Sequence, residues 1–245
     1  MTRDEALSVY QPARAGIQRI LKAAVDVCSQ ADLKRAAKHL GVWWDDRIVV
    51  DDDTTIDMIA DIALFEPNQR KRCAYDRYLE RQAQSLDPAD LDLAVRMASA
   101  FFSIFEVVDR HPSAGIWAED VLDGKRRIWI LDEGLENSAP VGLVFGMRLF
   151  DVGPFYAGFG IVVPVDEETA HYCAQARAKG DPLPVRDSLA ATLYGDQIRA
   201  GAPPDFGDEE ILGDLLDLLI GDAPDESDRV ARRQAGPKRR SGSKK

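Results

Sequence analysis

The sequence is poor in the residues that build disulfide-linked or metal-stabilised proteins. Its 245 residues include three cysteines, with no Cys-x-x-Cys pair, and three histidines. An odd number of widely spaced cysteines excludes a disulfide framework and a cysteine zinc knuckle. His171 and Cys173 are two residues apart on a predicted helix, so their side chains diverge and cannot share a metal ion. We therefore expect no metal and no cofactor, and we expect the histidines to be solvated or capping groups; the residues concerned are Cys28, Cys73, Cys173, His39, His111 and His171.

The sequence also lacks a long apolar segment that is free of charge. The nearest candidate, residues 141–165, contains Arg148 and Asp151 together with five glycines and two prolines. Each charged side chain costs about 2.5–3.5 kcal/mol at the centre of a bilayer, so buried strands and turns are the better interpretation. The first residues, MTRDEALSVY, contain acids and no apolar core of a signal peptide. We expect a cytoplasmic protein that does not contact a membrane.

Established catalytic motifs are absent as well: the sequence has no recognisable nucleophile–base pair and no phosphate-binding loop. With 45% hydrophobic and 30% charged residues, the composition is typical of a soluble globular protein. We therefore expect a non-enzymatic interaction or regulatory protein whose partner is another protein.

One segment leaves an enzymatic alternative open. IVVDDDTT, residues 48–55, resembles the strand-then-Asp-x-Asp-x-Thr pattern of haloacid dehalogenase-like phosphotransferases. That resemblance implies a Mg²⁺-dependent phosphohydrolase with Asp51 as nucleophile and Asp53 as general acid. The competing interpretation is that these aspartates cap and charge the start of a helix. Such enzymes need an alternating strand–helix scaffold, and the segments that follow do not predict one. The capping interpretation is therefore favoured.

Most of residues 13 to about 107 show helical spacing. Ser29 followed by Asp32 resembles a capping box, and Gly41 stands where a helix commonly stops. Another helix is predicted to begin at Thr54 or Thr55, and the charged segment NQRKRCAYDRYLERQAQ is predicted to form the next. The apolar stripe of the first helix comprises Ile17, Leu21, Ala24 and Cys28. A helix opened by Asp87-Pro88 has a stripe comprising Leu91, Val95, Ala98, Phe102 and Phe105.

The pattern changes to that of short strands after about residue 101. FFSIFEVV, GIWAEDVL and RRIWIL suit strands, and Asp123-Gly124 suits a two-residue hairpin turn. Two more strands surround a Gly-Pro turn within residues 141–165, and four or five such strands would close into a small barrel or half-barrel. We expect Trp117, Ile128, Trp129 and Phe155 to be largely buried. Because neighbouring residues of a strand face opposite ways, Trp129 or Ile130 must be covered by a helix.

Helices are predicted again at 166–180, 185–199 and 208–220. The last, DEEILGDLLDLLI, has a wide apolar face that we expect to dock onto the protein's own core, with a partner's groove as the alternative. The predicted fold class is α+β. It comprises a helical region (1–101), an antiparallel β unit (102–165), C-terminal helices packing on the body (166–221) and a disordered, highly charged tail (222–245).

The charge distribution is the most unusual feature. Residues 205–228 contain ten acids and no Lys or Arg, whereas residues 229–245 contain eight Lys or Arg and no acid. Of the 31 basic residues, 23 therefore remain against 42 acids in residues 1–228, a net charge of −19. We expect the basic tail to contact nucleic acid weakly and without sequence preference, or to act only as a solubilising segment. Its contact residues would be Arg229, Arg232, Arg233, Lys238, Arg239, Arg240, Lys244 and Lys245.

One family resemblance covers roughly the middle half of the chain. The run from RYLERQAQSLDPADLDLAVRMASAFFSIFEVVD through GIWAEDVLDGKRRIWILDEG to GMRLFDVGPFYAGFGIVVPV resembles the body of uncharacterised bacterial proteins that often end in a SEC-C zinc motif. The resemblance implies a helical lead-in to a small β module. The sequence ends in KRRSGSKK rather than in a cysteine cluster, so zinc binding is not implied for this chain.

Overall fold

The α+β architecture is seen in a computed structural model, which describes residues 1–50, 52–185 and 187–201. The helices are α1 (Arg3–Asp26), α2 (Gln30–Leu40), α3 (Asp53–Phe65), α4 (Ala74–Gln82), α5 (Pro88–Met97), α6 (Glu133–Ser138), α7 (Glu167–Lys179) and α8 (Leu189–Ala200). The strands are β1 (Trp43–Trp44), β2 (Arg47–Ile48), β3 (Phe101–Arg110), β4 (Ile116–Asp120), β5 (Arg126–Ile130), β6 (Val144–Asp151) and β7 (Tyr156–Pro164). The predicted helix at 208–220 and the charged tail lie outside the described residues.

Helix α1 begins ten residues earlier than the spacing predicted. The Thr2 side chain accepts a hydrogen bond from the backbone N–H of Glu5, and the Glu5 side chain accepts one from Thr2, which completes a capping box. Ala6 and Tyr10 in this first part are buried against the barrel. The predicted start of the helix was too late because Ala6 and Tyr10 alone do not form a recognisable stripe of apolar residues.

Several helix ends agree with the predicted signals. Ser29 and Asp32 form the capping box of α2, and Gly41 ends that helix with φ +78°. Helix α3 begins at Asp53, two residues before Thr55, which is the later of its two predicted starts. The Asp52 side chain caps this helix by accepting a hydrogen bond from the N–H of Thr55. Helix α7 ends at Gly180, whose φ is +74°. These ends were predictable because each depends on residues only three or four positions apart.

Two helical predictions extend too far. In the charged segment after Pro67, the helix begins only at Ala74. The helix opened by Pro88 ends at Met97, and Val95 of its predicted stripe is 52% exposed. Phe102 and Phe105 lie in β3 instead, where pairing with β4 and β6 determines the backbone conformation.

The middle of the chain forms a closed five-stranded barrel, which confirms the predicted small barrel. Its strand order is β3-β4-β5-β7-β6, closed by pairing of β6 with β3. These pairs are antiparallel except β5 with β7, which meet in parallel at Ile130 opposite Tyr156. The barrel core is formed by the buried side chains of Phe105, Val107, Ile116, Ala118, Ile128, Ile130, Leu135, Phe145, Met147, Leu149 and Val162.

The predicted two-residue turn at Asp123-Gly124 is wrong in its length. Asp120 pairs with Arg126, so residues 121–125 form a five-residue connection. The positive φ angles fall on Gly124 and Lys125 rather than on Asp123 and Gly124. The longer loop allows a contact at its start: the backbone N–H of Leu122 donates a hydrogen bond to the buried Asp120 carboxylate.

The alternation of strand β5 divides two side chains between two environments. Ile130 points into the barrel core, whereas Trp129 packs outside it against a cluster that includes Ala6 and Tyr10 of α1. The expectation that a helix covers one of them is therefore confirmed. Ile128 and Phe155 are buried as predicted, but Trp117 and Trp129 are only partly buried.

Residues 141–165, the apolar segment that resembles a membrane span in length, form β6, β7 and the turn between them. In the part of the chain that the structure describes, no helix combines the length and the apolar character needed to cross a bilayer.

Candidate functional site

A short two-stranded hairpin between α2 and α3 is the most distinctive surface feature. Trp43 lies opposite Ile48, and Trp44 lies opposite Arg47. The two-residue turn between the strands consists of Asp45 and Asp46, whose φ angles are +47° and +59°. Aspartate tolerates this left-handed conformation better than most residues, and two such positions suit the twist of a hairpin. We refer to residues 42–49 as the tryptophan hairpin.

The two tryptophans of this hairpin have opposite environments. The Lys34 ammonium lies 4.5 Å from the centre of the Trp43 ring and 3.2 Å from an Asp46 carboxylate oxygen. These contacts tie the hairpin to α2. Trp44, by contrast, is 66% exposed. The hairpin therefore presents one large aromatic side chain to solvent from an anchored backbone.

The surroundings of Trp44 are acidic. Residues 42–53 contain five aspartates and one basic residue, Arg47. Asp52 is engaged as the cap of α3, accepting hydrogen bonds from the Thr55 N–H at 2.8 Å and the Thr55 hydroxyl at 2.7 Å. Asp45 and Asp53 are exposed. The residue directly opposite Trp44 is the exposed Arg47, so the acidic excess belongs to the segment as a whole. An exposed aromatic ring on an acidic segment is complementary to an apolar pocket with a basic rim.

The phosphotransferase motif falls on the same part of the chain. Asp51 lies outside the described residues, and Asp53 is the exposed first residue of α3. Ile48, in the apolar run of the motif, belongs to the two-residue strand β2, which pairs with β1 in the hairpin. Among the described strands, the parallel pair β5–β7 lies in the barrel and does not lead into this motif.

Sequence reasoning did not find the buried charged cluster between α3, β6 and α8. The Arg148 guanidinium donates from Nε to both Asp61 carboxylate oxygens, at 2.9 and 3.1 Å, and from one terminal nitrogen to Glu66 at 2.9 Å. The Tyr194 hydroxyl donates to Asp61 at 3.2 Å. The Phe65 and Phe102 rings flank the guanidinium, with centres 5.3 and 5.7 Å away.

This cluster has a structural explanation that requires no ligand. Burial alone would lower the pKa of Arg148, but the neighbouring Asp61 carboxylate outweighs burial and holds that pKa above its ordinary value. The cation therefore remains charged and paired, joining helices distant in sequence to the barrel. The available sequence signal was Arg148 itself, a lone cation within an apolar run.

Asp57, one turn before Asp61, is a titratable group whose burial is poorly balanced by hydrogen bonds or positive charge. One of its carboxylate oxygens is buried and has no hydrogen-bond partner among the described residues. Burial, reinforced by the nearby carboxylates of Asp53, Asp52 and Asp61, raises the pKa of Asp57 to about 7. It borders a small apolar cavity formed by Leu21, Val25, Ala60, Leu64, Phe65, Phe159 and Ile161.

The structure keeps the three histidines apart from one another. His39 lies 3.9 Å from Asp187, and His171 contacts Gln175 at 2.6 Å. The His111 ring stacks on Trp129 with 3.7 Å between ring centres, and burial lowers its pKa. Across the described ranges, no group of three His, Cys, Asp or Glu side chains is arranged to hold a metal ion.

Burial disfavours the thiolate form of all three cysteines. Burial raises the pKa of Cys28 to about 12, and it also raises the pKa values of Cys73 and Cys173. Thiolate formation is therefore disfavoured at all three positions. The eight basic residues of the tail, from Arg229 to Lys245, lie outside the described residues.

Comparison with known proteins gives one match. No curated protein and no solved structure matched the chain. A family model matches residues 4–179, a range that includes the tryptophan hairpin, the buried Arg148 and the whole barrel. The chain therefore belongs to a family of unknown function, DUF7986.

Proposed function

We propose that this protein is a non-enzymatic cytoplasmic interaction protein that binds another protein through the tryptophan hairpin. The observation that carries the proposal is the contrast between Trp43, which is anchored on α2, and Trp44, which is 66% exposed in the same two-residue strand. A buried or flexible tryptophan would not support the same argument. Here the backbone is anchored and the ring is accessible.

The energetics of protein interfaces explain why this arrangement is favourable for binding. Tryptophan is enriched among the few interface residues that contribute most of the binding free energy. Its side chain offers a large apolar area with only two rotatable bonds, so little conformational entropy is lost when it is buried in a pocket. The base of the hairpin is ordered before binding by the buried Val42 side chain and by the hydrogen bond that the Val49 N–H donates to the Val42 carbonyl at 2.9 Å. The exposed contacts of Lys34 with Trp43 and Asp46 add little to this.

The charge of the hairpin segment supports a partner with a basic surface. Asp45, in the turn of the hairpin, and Asp53, four residues after the hairpin, leave carboxylates exposed. We propose a partner surface with an apolar pocket for the Trp44 ring and with Lys or Arg side chains around it. Such charge complementarity accelerates association and makes it sensitive to salt.

A matched pair of exposed apolar residues tests this proposal. Trp44 and Val141 are 66% and 67% exposed, so replacement of either by alanine should leave the fold intact. Each variant and the wild-type protein are used to capture partners from the native host. A protein retained by wild type and by Val141→Ala is then purified, and its affinity for all three is measured by calorimetry.

We expect Trp44→Ala to weaken binding of that protein about 30-fold, corresponding to about 2 kcal/mol. Val141→Ala should leave the affinity unchanged, and raising the salt concentration should weaken binding of wild type. Equal affinities of wild type and Trp44→Ala would exclude the hairpin as the binding surface.

Two further parts of the proposal concern the rest of the chain. We propose that the basic tail adds weak, non-specific contacts to nucleic acid. The support for this is that residues 229–245 contain eight Lys or Arg and no acid.

We also propose a relation to the body of the bacterial proteins that often end in a SEC-C motif. Its support is the sequence likeness across α4–β7, and zinc binding is not part of it.

The phosphohydrolase alternative has a decisive test of its own. Turnover of a generic phosphoester is measured with and without Mg²⁺ for the wild-type chain and for Asp51→Asn. Mg²⁺-dependent turnover that is lost in Asp51→Asn would replace the interaction proposal with an enzymatic one. A thermal-shift screen with nucleotides and phosphoesters adds a readout that does not depend on turnover, because a bound ligand stabilises the folded state.

A further inference from the structure

The outer side of β4 and β5 is the part of the barrel that the helices leave most open. Helices α3, α5 and α8 pack on the barrel through β3, β6 and β7. Within the described chain, β4 and β5 have their extensive contacts with neighbouring strands, and α1 reaches this side at Trp129. Because side chains alternate along a strand, the outward residues are Trp117 and Glu119 of β4 and Arg127 and Trp129 of β5. We refer to these four residues, together with His111 beside them, as the β4–β5 face.

Three partly exposed aromatic rings form a connected surface on this face. The His111 ring, from the loop between β3 and β4, stacks on Trp129 with 3.7 Å between ring centres. It also lies 4.8 Å from the centre of the Trp117 ring. The Trp129 indole N–H donates to the Ala114 carbonyl at 2.7 Å, and the Ser113 N–H donates to Nδ1 of His111 at 3.1 Å. These contacts with the backbone order the rings in advance, so little conformational entropy is lost when a ligand packs on them.

Three hydrogen-bond donors on this face have no partner in the described part of the chain. The exposed Arg127 guanidinium lies 4.8 Å from the centre of the Trp117 ring and makes no ion pair there, and the Trp117 indole N–H makes no hydrogen bond there. Because Nδ1 of His111 accepts a hydrogen bond, the neutral ring carries its proton on Nε2. Burial lowers the pKa of His111, so the neutral form prevails at neutral pH. The neighbouring Glu119 carboxylate, by contrast, is already paired, 3.6 Å from the Lys125 ammonium.

We propose that the β4–β5 face binds an extended, proline-rich segment of another protein that carries an acidic residue. Proline has no backbone N–H, and a polyproline helix has no internal hydrogen bonds, so such a segment offers free carbonyl acceptors to the donors of this face. Its pyrrolidine rings pack on aromatic side chains, as in other domains that recognise proline-rich segments. The unpaired Arg127 guanidinium is complementary to a single carboxylate of the segment.

The charge of the protein favours this occupant over a nucleic-acid strand. A strand would also stack its bases on aromatic rings and pair its phosphates with Arg127. However, residues 1–228 contain 23 basic residues and 42 acids, a net charge of −19, which repels a polyanion. A proline-rich segment brings only one carboxylate to the arginine. The face shares no residue with the tryptophan hairpin, so failure of either proposal leaves the other standing.

Binding of synthetic peptides to the full-length protein tests the proposal. The probe is a set of fluorescein-labelled decaproline peptides in which one aspartate occupies each position in turn, so the result does not depend on one register. A second set has lysine in place of aspartate, and a third has glycine in place of alternate prolines. Fluorescence anisotropy measures the dissociation constants for wild type, Trp117→Ala and Arg127→Gln. The matched controls are Val141→Ala and Arg81→Gln, which alter an exposed apolar and an exposed cationic side chain outside this face.

We expect at least one aspartate peptide to bind wild type with a Kd below about 1 mM. Trp117→Ala and Arg127→Gln should each weaken this binding about tenfold, whereas the two control variants should bind as wild type does. Lysine in place of aspartate, or glycine in place of proline, should also weaken it. Because Arg127 is exposed, Arg127→Gln keeps the fold and tests the face independently of any loss of stability in Trp117→Ala.

Two results would overturn the proposal outright: no binding of any aspartate peptide, or equal affinities of wild type, Trp117→Ala and Arg127→Gln. A third result would assign the face to nucleic acid instead. In that case a single-stranded oligonucleotide would displace the peptide and would itself bind both variants more weakly than wild type.

Discussion

Asp57 shows how one side chain can make the whole protein sensitive to pH. It is partly screened from solvent, and burial together with neighbouring aspartates raises its pKa to about 7. The folded state therefore favours the protonated carboxyl, whereas the unfolded chain ionises near the ordinary value for aspartate. Between these two pKa values the folded state binds more protons than the unfolded state, so stability must fall as pH rises.

We expect the free energy of unfolding of wild type to decrease by about 4 kcal/mol between pH 4 and pH 8 through this group. Its contribution is fully present below the unfolded pKa and lost as pH rises through about 7. Asp57→Asn should flatten this dependence and stabilise the protein at pH 8. Urea unfolding across this pH range measures the effect, with the exposed-site variant Asp92→Asn as control. An unchanged pH profile in Asp57→Asn would show that another group is responsible.

The strands of the barrel depend on glycine at one close approach. Gly115, just before β4, has φ +77°, and a Cβ atom there would lie 2.2 Å from the Ile130 carbonyl oxygen and 2.9 Å from the Leu131 Cα. A side chain at this position would therefore be strained by its backbone conformation and would collide with the backbone of the neighbouring strand. Gly124 shares a positive φ, but a Cβ atom at that position would meet nothing within 4 Å.

This pair of glycines separates steric collision from backbone strain. We expect Gly115→Ala to destabilise the protein by about 3 kcal/mol or more, and Gly124→Ala by about 1 kcal/mol. Chemical unfolding of both variants measures the difference. Similar losses of stability in the two variants would contradict this, because the backbone near Ile130 would then move away from the new Cβ atom at position 115 without a loss of free energy.

Elements also show where local patterns stop being informative. The signals for α2 and α7 succeed because a capping side chain and a closing glycine act on backbone groups within the same turn. The stripe extended to Phe102 and Phe105 fails because both residues have partners in β6, at least 40 positions away. Helical spacing of apolar residues carries no information about pairing with a strand so distant in the sequence.

At the scale of the whole molecule, charge is divided between an acidic body and a basic tail. Residues 1–228 have a net charge of −19, since they contain 23 basic residues and 42 acids, whereas residues 229–245 contain eight cations. The acids of 205–228 are adjacent to the tail in the sequence, and we expect them to compete with nucleic acid for its cations. Tail binding to a polyanion should therefore be weak and dependent on salt.

We expect removal of residues 229–245 to abolish binding of the chain to single-stranded RNA and to duplex DNA. Neutralising the ten acids of 205–228 should strengthen binding by the full chain, and raising the salt concentration should weaken it. Fluorescence anisotropy at two salt concentrations measures all three forms. Unchanged affinity after truncation at Asp228 would assign the binding to the folded body instead.

The sequence by itself determined those features that depend on near neighbours. Capping residues located the starts of α2, α5 and α7, alternation located the barrel strands, and the balance of charged residues defined the acidic body and basic tail. The short helix α6 was not predicted. The tryptophan hairpin was only partly visible, because WWDDRI showed an interruption of helical spacing without indicating which ring is exposed.

Only the tertiary structure decided which side chains meet. Arg148 and Asp61 are 87 residues apart, and no local pattern pairs them. Trp43 and Trp44 are adjacent and identical, yet Lys34 of α2 contacts the first and leaves the second exposed. Helix caps follow from interactions within a few residues, whereas strand pairing, burial and ion pairing follow from which elements pack together, and that choice is made by the whole chain at once.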